Sequence, residues 1–185
     1  MDRQIRRLGL GLCAILAFVH HANAQVIPLS FSELVDGADS IVVAEAIDSR
    51  SEWVNGASSR HIVTRMTFRV EDTVKGLNRV LLPLEFLGGQ VGNMRQEVSG
   101  VPQINIGDRA VLFISADRAA SPIVGLMQGH FPINRAPDGT DFVALHNRRA
   151  FSAVAQIGNP VLVSPVALPT MTLNAFRNEI GQLVR

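Results

Sequence analysis

From Ser40 onward the side chains change character in steps of two or in short apolar runs, and a helical period returns only near the C-terminus. Residues 40–53 open as Ser-Ile-Val-Val-Ala-Glu-Ala, nearly all apolar, which predicts a strand covered on both faces. Residues 61–74 alternate cleanly. Ile62, Thr64, Met66, Phe68 and Val70 fall on one face, and Arg65, Thr67, Arg69 and Glu71 on the other. That period of two predicts a half-buried antiparallel strand. Asn55-Gly56 and the small residues Ala57, Ser58 and Ser59 lie between the two segments and mark a turn, so they should pair as a long hairpin.

Lys75-Gly76-Leu77-Asn78 breaks the rhythm, and Val80, Leu82, Leu84 and Phe86 restore it. Pro83 falls on the opposite face and has no amide donor, which predicts an edge strand or an interruption there. Gly88, Gly89 and Gly92 predict a bend or bulge. A weak strand over 93–98 follows, with turns at Ser99-Gly100-Val101-Pro102 and Gly107-Asp108. Beyond them come an apolar strand over 110–114, strand pieces over 123–127 and 131–133 on either side of Gly129, a turn at Pro137-Asp138-Gly139, and a last strand over 142–145.

Two helices flank the β series. Over residues 30–37, Ser30 and Glu33 form a capping box, Leu29 and Leu34 form a staple, and Gly37 provides the stop. Near the end Thr172 caps a helix with Leu173, Phe176, Ile180, Leu183 and Val184 on one face. Met171 and Phe176 are spaced for its staple. Its expected role is to dock on its own domain. Residues 151–170, with Pro160, Pro165 and Pro169, should run extended over the domain surface. Six or seven short strands without intervening helices predict an all-β fold. The expected architecture is an antiparallel OB-like barrel of about six strands, with a short N-terminal helix and a C-terminal amphipathic helix.

The first 24 residues change the accounting. Arg3, Arg6 and Arg7 precede an apolar run over 8–19, and Ala22-Asn23-Ala24 follows, the order of a secretory leader cleaved before Gln25. The run is too short for a bilayer, which takes about 20 residues. Cys13 lies inside that run behind Leu12, which does not suit a lipid-anchor site. The expected organisation is a leader over 1–24, the β domain over 25–147, and an extended segment plus helix over 148–185. Three of the 17 basic residues and one of the 16 acidic ones lie in the leader, so the remainder carries net −1 and no cysteine. Such a chain offers no basic field to nucleic acid or to anionic lipid. The expected location is periplasmic or secreted, without stable membrane insertion.

Candidate chemistry is sparse. His61, His130 and His146 form no short-spaced pair, so neither a metal site nor a cofactor is expected. There is no G-x-S-x-G elbow, and Glu71-Asp72 point to opposite faces of one strand. Gly88-Gly89-Gln90-Val91-Gly92 is followed by strand-like sequence instead of a helix, so it does not suit a phosphate loop. Trp53, beside Asn55 at a hairpin tip, is a candidate binding anchor. Gly89 and Arg95 complete the candidate binding residues.

The order ADSIVVAEA, SEW, EDTVKG and LGGQVGNMRQEVSGVPQINIGDRAVLFI resembles a group of uncharacterised exported bacterial proteins. The likeness covers about residues 30–134 and the terminal TLNAFRNEI. It implies an OB-like barrel and no known reaction. More distantly the layout is similar to the netrin-like barrel of the tissue inhibitors of metalloproteinases. Those inhibitors act through an N-terminal cysteine, whereas this chain would begin at Gln25, so only a protein-binding role carries over. The expected function is a non-enzymatic extracytoplasmic binding module for a protein, such as a secreted protease. A hydrolase with a noncontiguous site using His61, His130 or His146, and an envelope or carbohydrate-binding protein, are the alternatives.

Overall fold

The computed structural model describes residues 27–56, 59–116, 120–159 and 170–184. The segment expected to be a leader, the middle of the hairpin turn and the proline segment over 160–169 lie outside the described residues. Among the described residues two α-helices, α1 (Phe31–Asp36) and α2 (Leu173–Leu183), accompany eight strands: β1 (Ser40–Asn55), β2 (Arg60–Lys75), β3 (Leu81–Leu87), β4 (Gly89–Val91), β5 (Met94–Gln96), β6 (Arg109–Ile114), β7 (His130–Arg135) and β8 (Asp141–Val143). The main sheet is antiparallel, in the order β3-β2-β1-β6-β7-β8, and β4 pairs with β5 in a separate ribbon.

The continuous apolar start of β1 has the predicted cause. Ile41 and Val43 enter one core with Val111, Phe113, Phe131 and the buried faces of both helices. Val42, Ala44 and Ala46 enter a second core on the opposite face with Met66, Phe68, Leu84, Phe86 and Leu112. The first core is aromatic. Phe31, Phe113, Phe131, Phe151 and Phe176 contact one another with ring centroids 5.0–6.4 Å apart, in tilted or edge-on pairs. Phe151 and Phe176 bring the C-terminal residues into this core, so residues after 147 complete the domain and do not merely cover it.

Both helix caps form as their sequences predict. Ser30 Oγ accepts from the Glu33 amide while the Glu33 carboxylate accepts from the Ser30 amide, and Thr172 accepts from the Ala175 amide. Gly37 stops α1 with a right-handed φ of −75°, and its hydrogen side faces Glu33 O and Val124, where a side chain would crowd. Leu173, Phe176 and Ile180 are buried and Val184 packs partly buried against the same core, so of the apolar stripe only Leu183 is exposed.

The barrel expectation is corrected. The sheet curls but is open, with β3 and β8 at its edges. β3 meets the far side of the curl at its C-terminal end, where Leu87 N–H donates to Ala120 O at 2.9 Å. Residues 123–127 are also not a strand. Only Ile123 bridges to Ile114, and then Gly125 and Leu126 both take positive φ (62° and 66°), which turns the chain.

Candidate functional site

The groove along the open edge of β3 is the candidate site. Register makes its chemistry legible. Val70 N–H donates to Val80 O and Gly88 N–H to Ile62 O, so even-numbered residues of β3 exchange backbone hydrogen bonds with β2. Odd-numbered residues then point their backbone groups away from the sheet. Leu87 N–H, reaching Ala120, obeys this parity. Leu81 and Glu85 therefore direct both N–H and C=O outward, where no partner lies among the described residues, and Pro83 between them directs a carbonyl alone. Pro83 was the residue that predicted an edge, and the missing donor does fall on the outward side.

Beside this edge lies a cavity of about 480 Å³. Val42, Val70, Leu82, Leu84 and Ile114 form its apolar floor, which is continuous with the second core. Asp39, Arg65, Arg79, Glu85 and residues 115–116 form its rim. Arg65 is held by Glu52 and by Glu85 at 3.0 Å, and Asp39 accepts from the Ala116 amide at 2.6 Å. Arg79 has no ion-pair partner among the described residues. Leu77 lines the cavity and is 75% exposed, and Val80 and Leu81, between the lining residues Arg79 and Leu82 in the chain, are 77% and 52% exposed, apolar exposure of the kind associated with interaction sites.

The residues singled out from sequence gather elsewhere, at the far end of the hairpin. Trp53 pairs with Ile62 and Asn55 with Arg60 across the hairpin. The Arg60 guanidinium lies 4.9 Å above the Trp53 ring, so one ring face is already occupied by a cation. Gly89 starts the β4–β5 ribbon, packed on Ser51 and Thr64, whose hydroxyls share a hydrogen bond of 2.9 Å. A Cβ at Gly89 would stand 2.1 Å from Thr64 Oγ1, and its φ of +133° is a glycine conformation, so it is a packing residue. Arg95 is exposed on β5 and pairs with Glu97 at 2.7 Å. The groove residues Leu82, Leu84 and Arg79 were not anticipated. Their signal in the sequence is Pro83 beside an alternating apolar strand.

A second, polar cavity of about 280 Å³ is lined by Asp108, Arg109, His130, Asn134, Arg135 and Arg148, among others. His130 is 6% exposed and its Nε2 has no hydrogen-bond partner. Burial pushes its imidazole down to about 4, against the pull of Asp108 and with some help from His146 and Arg148. Nearby, Arg109 joins Glu71 and Asp141 at 2.6–2.9 Å, and Arg135 also holds Asp141 at 2.8 Å. Among the described residues no group of three or more histidines, cysteines or acids could hold a metal ion, and no helix is long and apolar enough to cross a membrane.

Comparison with known protein families, with curated proteins and with solved structures finds no match.

Proposed function

We propose that this chain is an exported, non-enzymatic binding module whose partner is a protein, a secreted protease being one candidate, and that it binds through the groove beside β3. The observation that carries the reading is the incomplete seam. An antiparallel six-stranded sheet with both helices packed on one face supports the OB-like, distantly netrin-like reading of the sequence without closing a barrel. Here a single described backbone bond, Leu87 to Ala120, joins the two sides, and the rest of the seam is a groove with an apolar floor whose outward backbone groups have no partner among the described residues. Loops and edges on a rigid scaffold are where such domains place recognition. Export is read from the leader, and sequencing the N-terminus of the protein recovered outside the cytoplasm should give Gln25 as its first residue.

The binding test uses residues 25–185 immobilised against the native secretome, in parallel with Ala116→Trp, which fills the rim, and with Trp53→Ala at the hairpin tip. A protein retained by the native chain and by Trp53→Ala but lost with Ala116→Trp supports the reading. Equal retention by all three, or no retention, overturns it.

The polar cavity favours one alternative, a hydrolase built around His130 and Asp108. Among the described residues its lining includes no serine, threonine or cysteine, so an enzyme built from these residues would have to activate water. A neutral imidazole with a sealed Nε2 is poorly prepared for that role. Hydrolysis of peptide, ester or glycoside substrates that disappears in His130→Gln would establish it.

A further inference from the structure

Resting on the groove as the binding site, we infer that its occupant is an extended peptide segment of the partner, added to β3 as a seventh strand of the main sheet. Three features specify it. The first is hydrogen-bonding capacity. Leu81 and Glu85 each offer an outward donor and acceptor, and Pro83 offers an acceptor only. Residues four apart on one side of a strand stand roughly 13 Å apart, at about 3.3 Å per residue, so the incoming segment spans at least five residues to reach both. It loses one bond opposite Pro83, which lowers the affinity of any segment and suits a reversible contact.

The second feature is side-chain alternation. An added strand continues the pleat of β3, so every second side chain enters on the same face as Leu82 and Leu84. That face opens on Val42, Val70 and Ile114. The segment therefore carries apolar side chains at alternate positions, and β-branched ones fit a pleated surface well. The third feature is charge. Arg79 stands at the mouth of the groove just before β3 begins and has no ion-pair partner among the described residues. An acidic residue at the end of the segment nearest Arg79 complements it. The partner is thus a protein with an accessible extended stretch, apolar at every second position and acidic at one end.

The probe is an acetylated, amidated heptapeptide alternating threonine and valine with a terminal glutamate, added to ¹⁵N-labelled residues 25–185. Bound peptide should slow hydrogen exchange at the Leu81 and Glu85 amides at least tenfold. Two N-methylated versions, methylated at odd or at even positions, should differ. One loses binding at least tenfold and the other keeps it, because only one set of amides faces β3. Arg79→Gln should weaken the peptide about threefold and leave a glutamine-terminated version unchanged. The proposal is overturned if the peptide fails to bind at millimolar concentration, if both methylated versions behave alike, or if Leu81 and Glu85 exchange at their free rates when peptide is bound. Protection that appears without peptide and rises with protein concentration would assign the edge to a second copy and also overturn it. A protein partner that is lost with Ala116→Trp yet leaves Leu81 and Glu85 unprotected would preserve the binding reading and defeat strand addition alone.

Discussion

His130 shows how little of an individual residue's environment a sequence displays. Nothing in Gly-His-Phe-Pro separates it from His61, which is half-buried near the hairpin tip, yet His130 is buried opposite Leu112. Its folded pKa of about 4 lies below the 6.5 of a free imidazole, so the unfolded chain takes up a proton first as the pH falls. The stabilising contribution is complete above about pH 6.5, declines between 6.5 and 4, and is gone below that. It amounts to about 3 kcal/mol at 1.36 kcal/mol per pH unit. His146, also lowered by burial, acts in the same direction. Urea unfolding at pH 7, 5.5 and 4 should show this loss, and His130→Leu should flatten it. An unchanged slope would contradict the burial account. Asp141 belongs to a lower window. Hydrogen bonds from Arg135 and Arg109 hold it at about 2, so its contribution persists until the pH falls from about 3.8 toward 2.

Glycines divide at the same scale. Gly89 and Gly92 look alike in the sequence, but a Cβ at Gly89 meets Thr64 and Ser51, whereas one at Gly92 meets nothing within 4 Å. Gly89→Ala should cost more than about 2 kcal/mol, the sum of backbone strain and overpacking, and Gly92→Ala about 1 kcal/mol from its left-handed φ alone. Thermal melts of the two variants decide the ordering. Equal losses would mean that the ribbon does not pack on the hairpin.

Among the elements, those with strong local signals were readable. The β1–β2 hairpin, both capped helices and the edge character of β3 follow from period, cap residues and one proline. Residues 123–127 were not, because apolar residues there are buried by a turn that positive φ at Gly125 and Leu126 makes possible. Val80 continues the apolar alternation of Leu82, Leu84 and Phe86 but is mostly exposed, because it lies just before β3 begins at Leu81. α2 should behave as a structural element. Phe176→Ala should cost about 3–5 kcal/mol because it touches four other phenylalanines, and Thr172→Ala about 1 kcal/mol from the lost cap. Denaturant titrations check both. A Phe176→Ala loss below 1 kcal/mol would show that α2 is free to leave the sheet.

For the whole molecule, alternation along β2 and β3 suits a barrel with a single interior, whereas the open sheet buries apolar residues on both faces. The apolar start of β1 carried that information. Closure was not legible, because it depends on whether two strand edges far apart in the chain meet, and no local pattern encodes that meeting. The candidate site inherits this limit. The aromatic and polar tip residues stood out in the sequence, while the groove is made of ordinary aliphatic positions that matter only because the seam is incomplete.

Amide hydrogen exchange along β3 in the free protein tests the open seam most directly. Leu82, Leu84 and Phe86, bonded to β2, and Leu87, bonded to Ala120, should be protected, while Leu81 and Glu85 should exchange at least a hundredfold faster. Comparable protection at Leu81 and Glu85 would mean that the edge is already paired, and it would remove the site on which the proposed function depends.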